Sequence, residues 1–143
     1  MGKTLLILLV LSLPALAQTS PDGSFSVRHL KKADFSLNSD QMRDAETIYR
    51  TACSVVQHEF LSGAAGELHL HFTVVIGAER NEVRSRRITQ ADEIWMKNWD
   101  PNVFAQGVVL LAVDQSLTPD VVRRLGMRAV RYSSAAVDVS GLR

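Results

Sequence analysis

The spacing of apolar residues changes abruptly near residue 63, and that change limits the fold classes open to the chain. Before it, Met42, Ala45, Tyr49, Ala52, Val56 and Phe60 recur every three or four positions, forming one face of a helix from about Asp40 to Leu61. Asn38, Ser39 and Asp40 offer oxygens to the first turn, and Gly63 suits the left-handed residue that ends a helix. After Gly63-Ala64-Ala65-Gly66 the spacing falls to two. Leu68, Leu70, Phe72, Val74 and Ile76 alternate with Glu67, His69, His71 and Thr73, as on a strand with one dry face. A sheet dry on one side needs helices over that side, so the chain reads as α+β.

The remainder fits this class. Gly77 to Asn81 predicts a turn, Glu82 to Ile88 a returning strand, and Glu93 to Lys97 a third strand. Asp100-Pro101 and Thr118-Pro119 each place a capping oxygen before a proline at the first helical position, predicting helices to about Ser116 and Ser134. The apolar run within residues 103 to 113 also suits a buried strand, and only the Asp-Pro cap and the length favour a helix. Val137-Asp138-Val139 fits a short last strand. The expectation is an N-terminal helix, a small antiparallel sheet of about three strands and a C-terminal helical hairpin, in one domain over residues 35 to 143.

The first seventeen residues read as an export leader. Lys3 precedes a short apolar run from Leu5 to Leu13, and Ala15-Leu16-Ala17 gives the small-x-small pattern cut after Ala17. That run is too short to span a bilayer, and no later stretch reaches the ~18 apolar residues of a transmembrane segment. The expected destination is the periplasm or the extracellular space. Residues 18 to 34, rich in Ser, Pro, Asp and Gly, read as a flexible tether, although Phe25 to Leu30 also fits a short edge strand. The chain has 16 Lys and Arg against 15 Asp and Glu, and removing Lys3 balances them. A balanced chain lacks the basic excess of a general nucleic-acid binder. With Cys53 as the only cysteine, no internal disulfide framework is possible, and stability must come from packing.

Candidate chemistry is sparse. His69 and His71, two apart on a strand, would share a face and could reach one zinc ion, with His29, His58, Glu67 or Glu82 as further ligands. Their alternation with leucines equally fits the solvated side of the sheet. Cys53 reads as a small buried apolar residue, because a catalytic thiol needs a basic partner beside it. Arg124, Arg128 and Arg131, with Arg123 adjacent, form a basic stripe on the last helix, suited to an acidic partner or simply to water. Arg84, Arg86 and Arg87 are diluted by Glu79 and Glu82. Trp95 and Trp99 read as core or interface residues in different environments. No serine lies in a Gly-x-Ser-x-Gly elbow, and no glycine-rich loop has phosphate-binding spacing.

His58-Glu59 lacks the second histidine of a His-Glu-x-x-His zinc motif, since position 62 is Ser. The layout of helix, short strands and helix over roughly residues 40 to 135 resembles small gluzincin-type metallopeptidase domains. Where their motif would lie, residues 104 to 113 read FAQGVVLLAV, without His or Glu. The resemblance therefore implies a catalytically inactive domain stripped of its metal. The leading expectation is an exported interaction module without catalysis, docking through Arg124, Arg128 and Arg131 to an envelope protein with an acidic surface. The competing expectations are a metal-binding or hydrolase-like protein using His69 and His71, the inactive metallopeptidase-like domain, and a scaffold with no separate activity.

Overall fold

The computed structural model describes residues 17–30, 37–60, 68–85, 91–113 and 117–141. In chain order these form β1 (Ala17–Thr19), β2 (Phe25–His29), α1 (Ser39–Phe60), β3 (Phe72–Ile76), β4 (Glu82–Arg84), β5 (Glu93–Met96), α2 (Pro101–Ala112) and α3 (Pro119–Gly141). The sheet runs β1-β2-β3-β5-β4. The central strands β2, β3 and β5 are parallel, while β1 and β4 are antiparallel edges.

The α+β class holds, but the sheet has five strands and is mixed, not three and antiparallel. Two physical causes account for the difference. First, β5 separates β3 from β4. Ile94 and Met96 of β5 are fully buried, whereas β4 carries Glu82 and Arg84, so the apolar strand takes the inner position and the charged one the edge. Second, the described part of the expected tether carries β1 and β2. Phe25 and Val27 of β2 pair with Phe72 and Val74 of β3, and all four are buried. Ser20 and Asp22 make the turn between β1 and β2: the Ser20 hydroxyl donates to Asp22 (2.9 Å), and the Phe25 amide donates to the Ser20 hydroxyl (3.1 Å). Gly23 occupies the left-handed region at φ 76°, which a glycine adopts without strain.

α1 begins with a reciprocal cap. The Gln41 amide donates to the Asn38 side chain (2.8 Å) and the Asn38 amide to the Gln41 side chain (2.9 Å). α2 begins as its Asp-Pro signal predicts, with the Asp100 carboxylate accepting from the Asn102 and Val103 amides (2.9 and 3.4 Å). This settles residues 103 to 112 as helix. Thr118 caps α3 by accepting from the Val121 amide (3.3 Å). α3 continues through residues 137 to 139, where a last strand was expected.

The molecule is layered. α1 and α2 cover one face of the sheet, meeting Phe25, Val27, Phe72, Val74, Ile76, Ile94 and Met96 in the main core. The rings of Phe25, Tyr49, Phe72 and Phe104 sit at its centre, with centroids 5.4 to 6.1 Å apart and mostly tilted. α3 lies across α1 and α2 on the side away from the sheet, burying Val122, Leu125 and Ala129. It is tied to α1 by a Ser133–Thr51 hydroxyl contact (3.2 Å) and an Arg128–Glu59 ion pair (2.5 Å). Among the described residues, no helix is long and apolar enough to cross a membrane.

Candidate functional site

The layering leaves α3 with one face buried and one facing outward, and the arginine stripe divides between them. Arg124, Met127 and Arg131, spaced i, i+3 and i+7, share one outward row; Arg124, Arg128 and Tyr132, spaced i, i+4 and i+8, share the next. Arg124 and Arg131 are exposed, and so are Met127 and Tyr132, at 46% and 55%. Arg128 is half-buried against α1 and holds Glu59. Its hydrogen bond, then its charge, pull the Glu59 carboxyl below the usual range, and Glu59 in turn raises the Arg128 pKa. Arg123 turns to Asp120 at 2.8 Å. The three arginines expected as one docking stripe thus serve two ends: Arg128 ties α3 to α1, while Arg124 and Arg131 face outward with a thioether and a phenol ring between and beside them.

The two histidines stand just before a strand instead of on one. β3 begins only at Phe72, so residues 68 to 71 lie outside the strand. Tyr49 is the physical reason. Its hydroxyl accepts the Leu70 amide (2.8 Å), diverting that backbone from a strand ladder. Both histidines are exposed but line different clefts. His69 borders a cleft of about 420 Å³ with Asp22, Tyr49, Cys53, Ser54 and Gln57. His71 borders one of about 410 Å³ with Thr19, Ser24, Ser26, Thr73 and Asp92. Of the further ligands considered for zinc, His58 is exposed near the end of α1, His29 is half-buried at the end of β2, and Glu82 is on edge strand β4. Glu67 lies outside the described residues. No group of three or more His, Cys, Asp or Glu able to hold a metal ion occurs among the described residues.

The cleft beside His69 brings together groups that sequence reasoning kept apart. Cys53 lies in its wall, 6% exposed. Burial pushes its thiol up to about 11; the hydrogen bond with Tyr49 pulls the other way, and the charge of Asp22 pushes further up. Such a thiol is protonated at neutral pH, the opposite of an activated nucleophile. Burial also works against the Asp22 charge. The Ser24 backbone amide (3.0 Å), the Ser24 and Ser20 side chains and the charge of Arg50 outweigh it, holding the carboxyl below its ordinary value. Asp22 is therefore a structural anion that fixes the β1–β2 turn. It was missed because Pro21-Asp22-Gly23 reads equally well as linker, and only the paired strands on either side distinguish a hairpin turn.

The tryptophans occupy different environments, as expected. Trp99 packs on Phe104, centroids 5.3 Å apart, at the edge of the main core. Trp95 lies on the sheet face opposite the helices, where its indole N–H donates to Glu93 (3.1 Å) and the Arg84 guanidinium covers its ring at 3.8 Å. Glu93 also pairs with Arg28 of β2 (3.8 Å), so charges run across this face from strand to strand. Arg86 and Arg87 lie outside the described residues. Within α2, Phe104, Ala105, Val108 and Val109 are fully buried, so this segment forms core. Comparison of the chain with protein-family models, with curated proteins and with solved structures gave no match.

Proposed function

We propose that this chain is an exported, non-catalytic interaction module that docks to an acidic protein surface through the outward face of α3. The observation that carries this reading is the composition of that face. Arg124 and Arg131 flank Met127, with Tyr132 beside them and both apolar side chains well exposed. Arg, Met and Tyr are the residue types enriched at the centres of protein interfaces, where a guanidinium meets a carboxylate bidentately and a flat or flexible apolar group fills the gaps. Arg128 helps indirectly: anchored to Glu59, it fixes the rotation of α3 and hence the direction in which Arg124 and Arg131 point. Export rests on the leader pattern of residues 1 to 17.

The test is capture of partners from envelope extract of the host by the chain from Gln18 onward. The Arg124→Glu/Arg131→Glu variant is compared with an Arg80→Glu control on the β3–β4 turn. A stoichiometric partner held by the control and lost by the double variant is the expected result. A partner held equally by both would move the interface off α3.

A further inference from the structure

The sheet face turned away from the helices has two unlike halves. Phe25, Val27, Phe72, Val74 and Ile94 point into the helix-covered core, so the residues between them point the other way. The strand register lines one row of these up across the sheet. Thr19 stands opposite Ser26, Ser26 beside Thr73, Thr73 beside Glu93, and Glu93 opposite Arg84. The charged end of the row is satisfied within the protein. Glu93 accepts the Trp95 indole N–H (3.1 Å) and pairs with Arg28 (3.8 Å), while Arg84 covers the Trp95 ring and reaches Glu82 (3.4 Å). The hydroxyl end is held far more loosely. Ser26 and Thr73 approach each other only to 3.4 Å, outside the range of about 2.5 to 3.0 Å of a good O–H···O bond, and Thr19 is exposed.

These three residues border the cleft of about 410 Å³ that His71 and Asp92 also line. Its volume lies within the range of small-molecule sites, roughly 300 to 1,000 Å³. Neighbouring strands stand about 4.8 Å apart, so the row spans roughly 10 Å from Thr19 to Thr73. Each hydroxyl can donate and accept, and Phe25, Phe72 and Ala91 add carbon to the same lining. That mixture selects among ligands. Among the described residues no Lys or Arg borders the cleft, which disfavours phosphate, sulfate or a uronic acid. A metal ion finds no group of three His, Cys, Asp or Glu among the described residues. A peptide strand adds to a sheet along its edge, whereas this cleft opens on a face.

We propose that this cleft is a binding site for a neutral saccharide, with Thr19, Ser26 and Thr73 hydrogen-bonding to its hydroxyls. A sugar has what the lining matches: hydroxyls that donate and accept, set around a ring of carbon, and no charge. The span of the row suits a disaccharide segment better than a single ring. The site lies on the far side of the sheet from α3, so it does not depend on the docking surface proposed above.

The full chain is titrated with cellotetraose, maltotetraose and chitotetraose, and with inorganic phosphate and tetragalacturonate as anionic probes. Binding is located from amide shifts in proton–nitrogen correlation spectra. At least one neutral tetramer is expected to bind saturably, with shifts gathered on Thr19, Ser26, His71 and Thr73, and the anionic probes to leave these unmoved. Ser26→Ala/Thr73→Val should weaken that binding roughly tenfold. Thr19→Val, a change of similar shape at an exposed position, should weaken it roughly threefold with the urea midpoint of the parent. Arg124→Glu/Arg131→Glu should bind the sugar as the parent does. The proposal would be overturned by no shift with any of the three sugars, by shifts gathered elsewhere, or by undiminished affinity in Thr19→Val. Phosphate or tetragalacturonate bound in the cleft as tightly as the neutral tetramer would overturn it equally.

Discussion

A single methyl group added at Gly107 probes the contact on which the layered fold depends. Gly107 sits on the buried side of α2. A Cβ there would lie 2.8, 2.9 and 3.0 Å from the Cδ1, Cγ2 and Cγ1 atoms of Ile94, which is fully buried on β5. Carbon atoms pack best at about 3.5 to 4.0 Å, so α2 and β5 must separate by several tenths of an ångström or Ile94 must leave its rotamer. Overpacking of this kind costs about 1 to 3 kcal/mol. Alanine in place of glycine within a helix returns about 1 kcal/mol. Gly107→Ala should therefore destabilise the chain by about 1 kcal/mol net. Ile94→Val removes the closest of the three atoms and by itself costs about 0.5 to 1.5 kcal/mol. The two changes together should cost less than their sum by at least about 0.5 kcal/mol. Urea unfolding of the chain from Gln18, followed by tryptophan fluorescence and circular dichroism, measures all four corners of the cycle. A Gly107→Ala variant more stable than the parent, or strict additivity with Ile94→Val, would refute the packing of α2 on β5.

Three further outcomes follow from the same geometry. Burial lowers the His29 pKa below its ordinary 6.5, so the folded state disfavours the proton that the unfolded state accepts; stability should be full above about pH 6.5, fall as the pH drops below it, and flatten there in His29→Asn, measured by urea midpoints across pH 8 to 5. Cys53, buried and with its thiol pushed up to about 11, should react with a disulfide reagent at pH 8 far more slowly in the native chain than in urea, and an equal rate would contradict its burial. Because His69 and His71 line separate clefts, zinc binding by calorimetry should be unchanged in His71→Ala, whereas loss of a stoichiometric site would restore the shared-ion arrangement.

Features decided within a few residues were open to sequence reasoning. α1 shows its apolar face and its cap directly, and the Asp100-Pro101 and Thr118-Pro119 signals place the starts of α2 and α3. Features decided across the chain were not. β2 has only Phe25 and Val27 as apolar residues, and its partner β3 lies some forty residues on, beyond α1; nothing local distinguishes it from linker. β5 takes the place beside β3 because Ile94 and Met96 bury better than the side chains of β4, a competition visible only once the helices cover the sheet. The alternation suggested a strand from Glu67, but a hydroxyl from α1 accepts the Leu70 amide and the strand begins only at Phe72, so His69 and His71 precede it. The arginine stripe was visible as a spacing. Which of its members was committed to Glu59, sixty-nine residues away, was not.

The most direct measurement of the central claim is photo-crosslinking in the host cell, with a benzophenone amino acid placed in turn at Met127, Arg131 and, on the opposite side of the molecule, Ser26. The account predicts one discrete adduct of the same mass from positions 127 and 131, none from position 26, and loss of that adduct when Arg124 is changed to Glu. An adduct from position 26 alone, or adducts from 127 and 131 that survive Arg124→Glu, would contradict it.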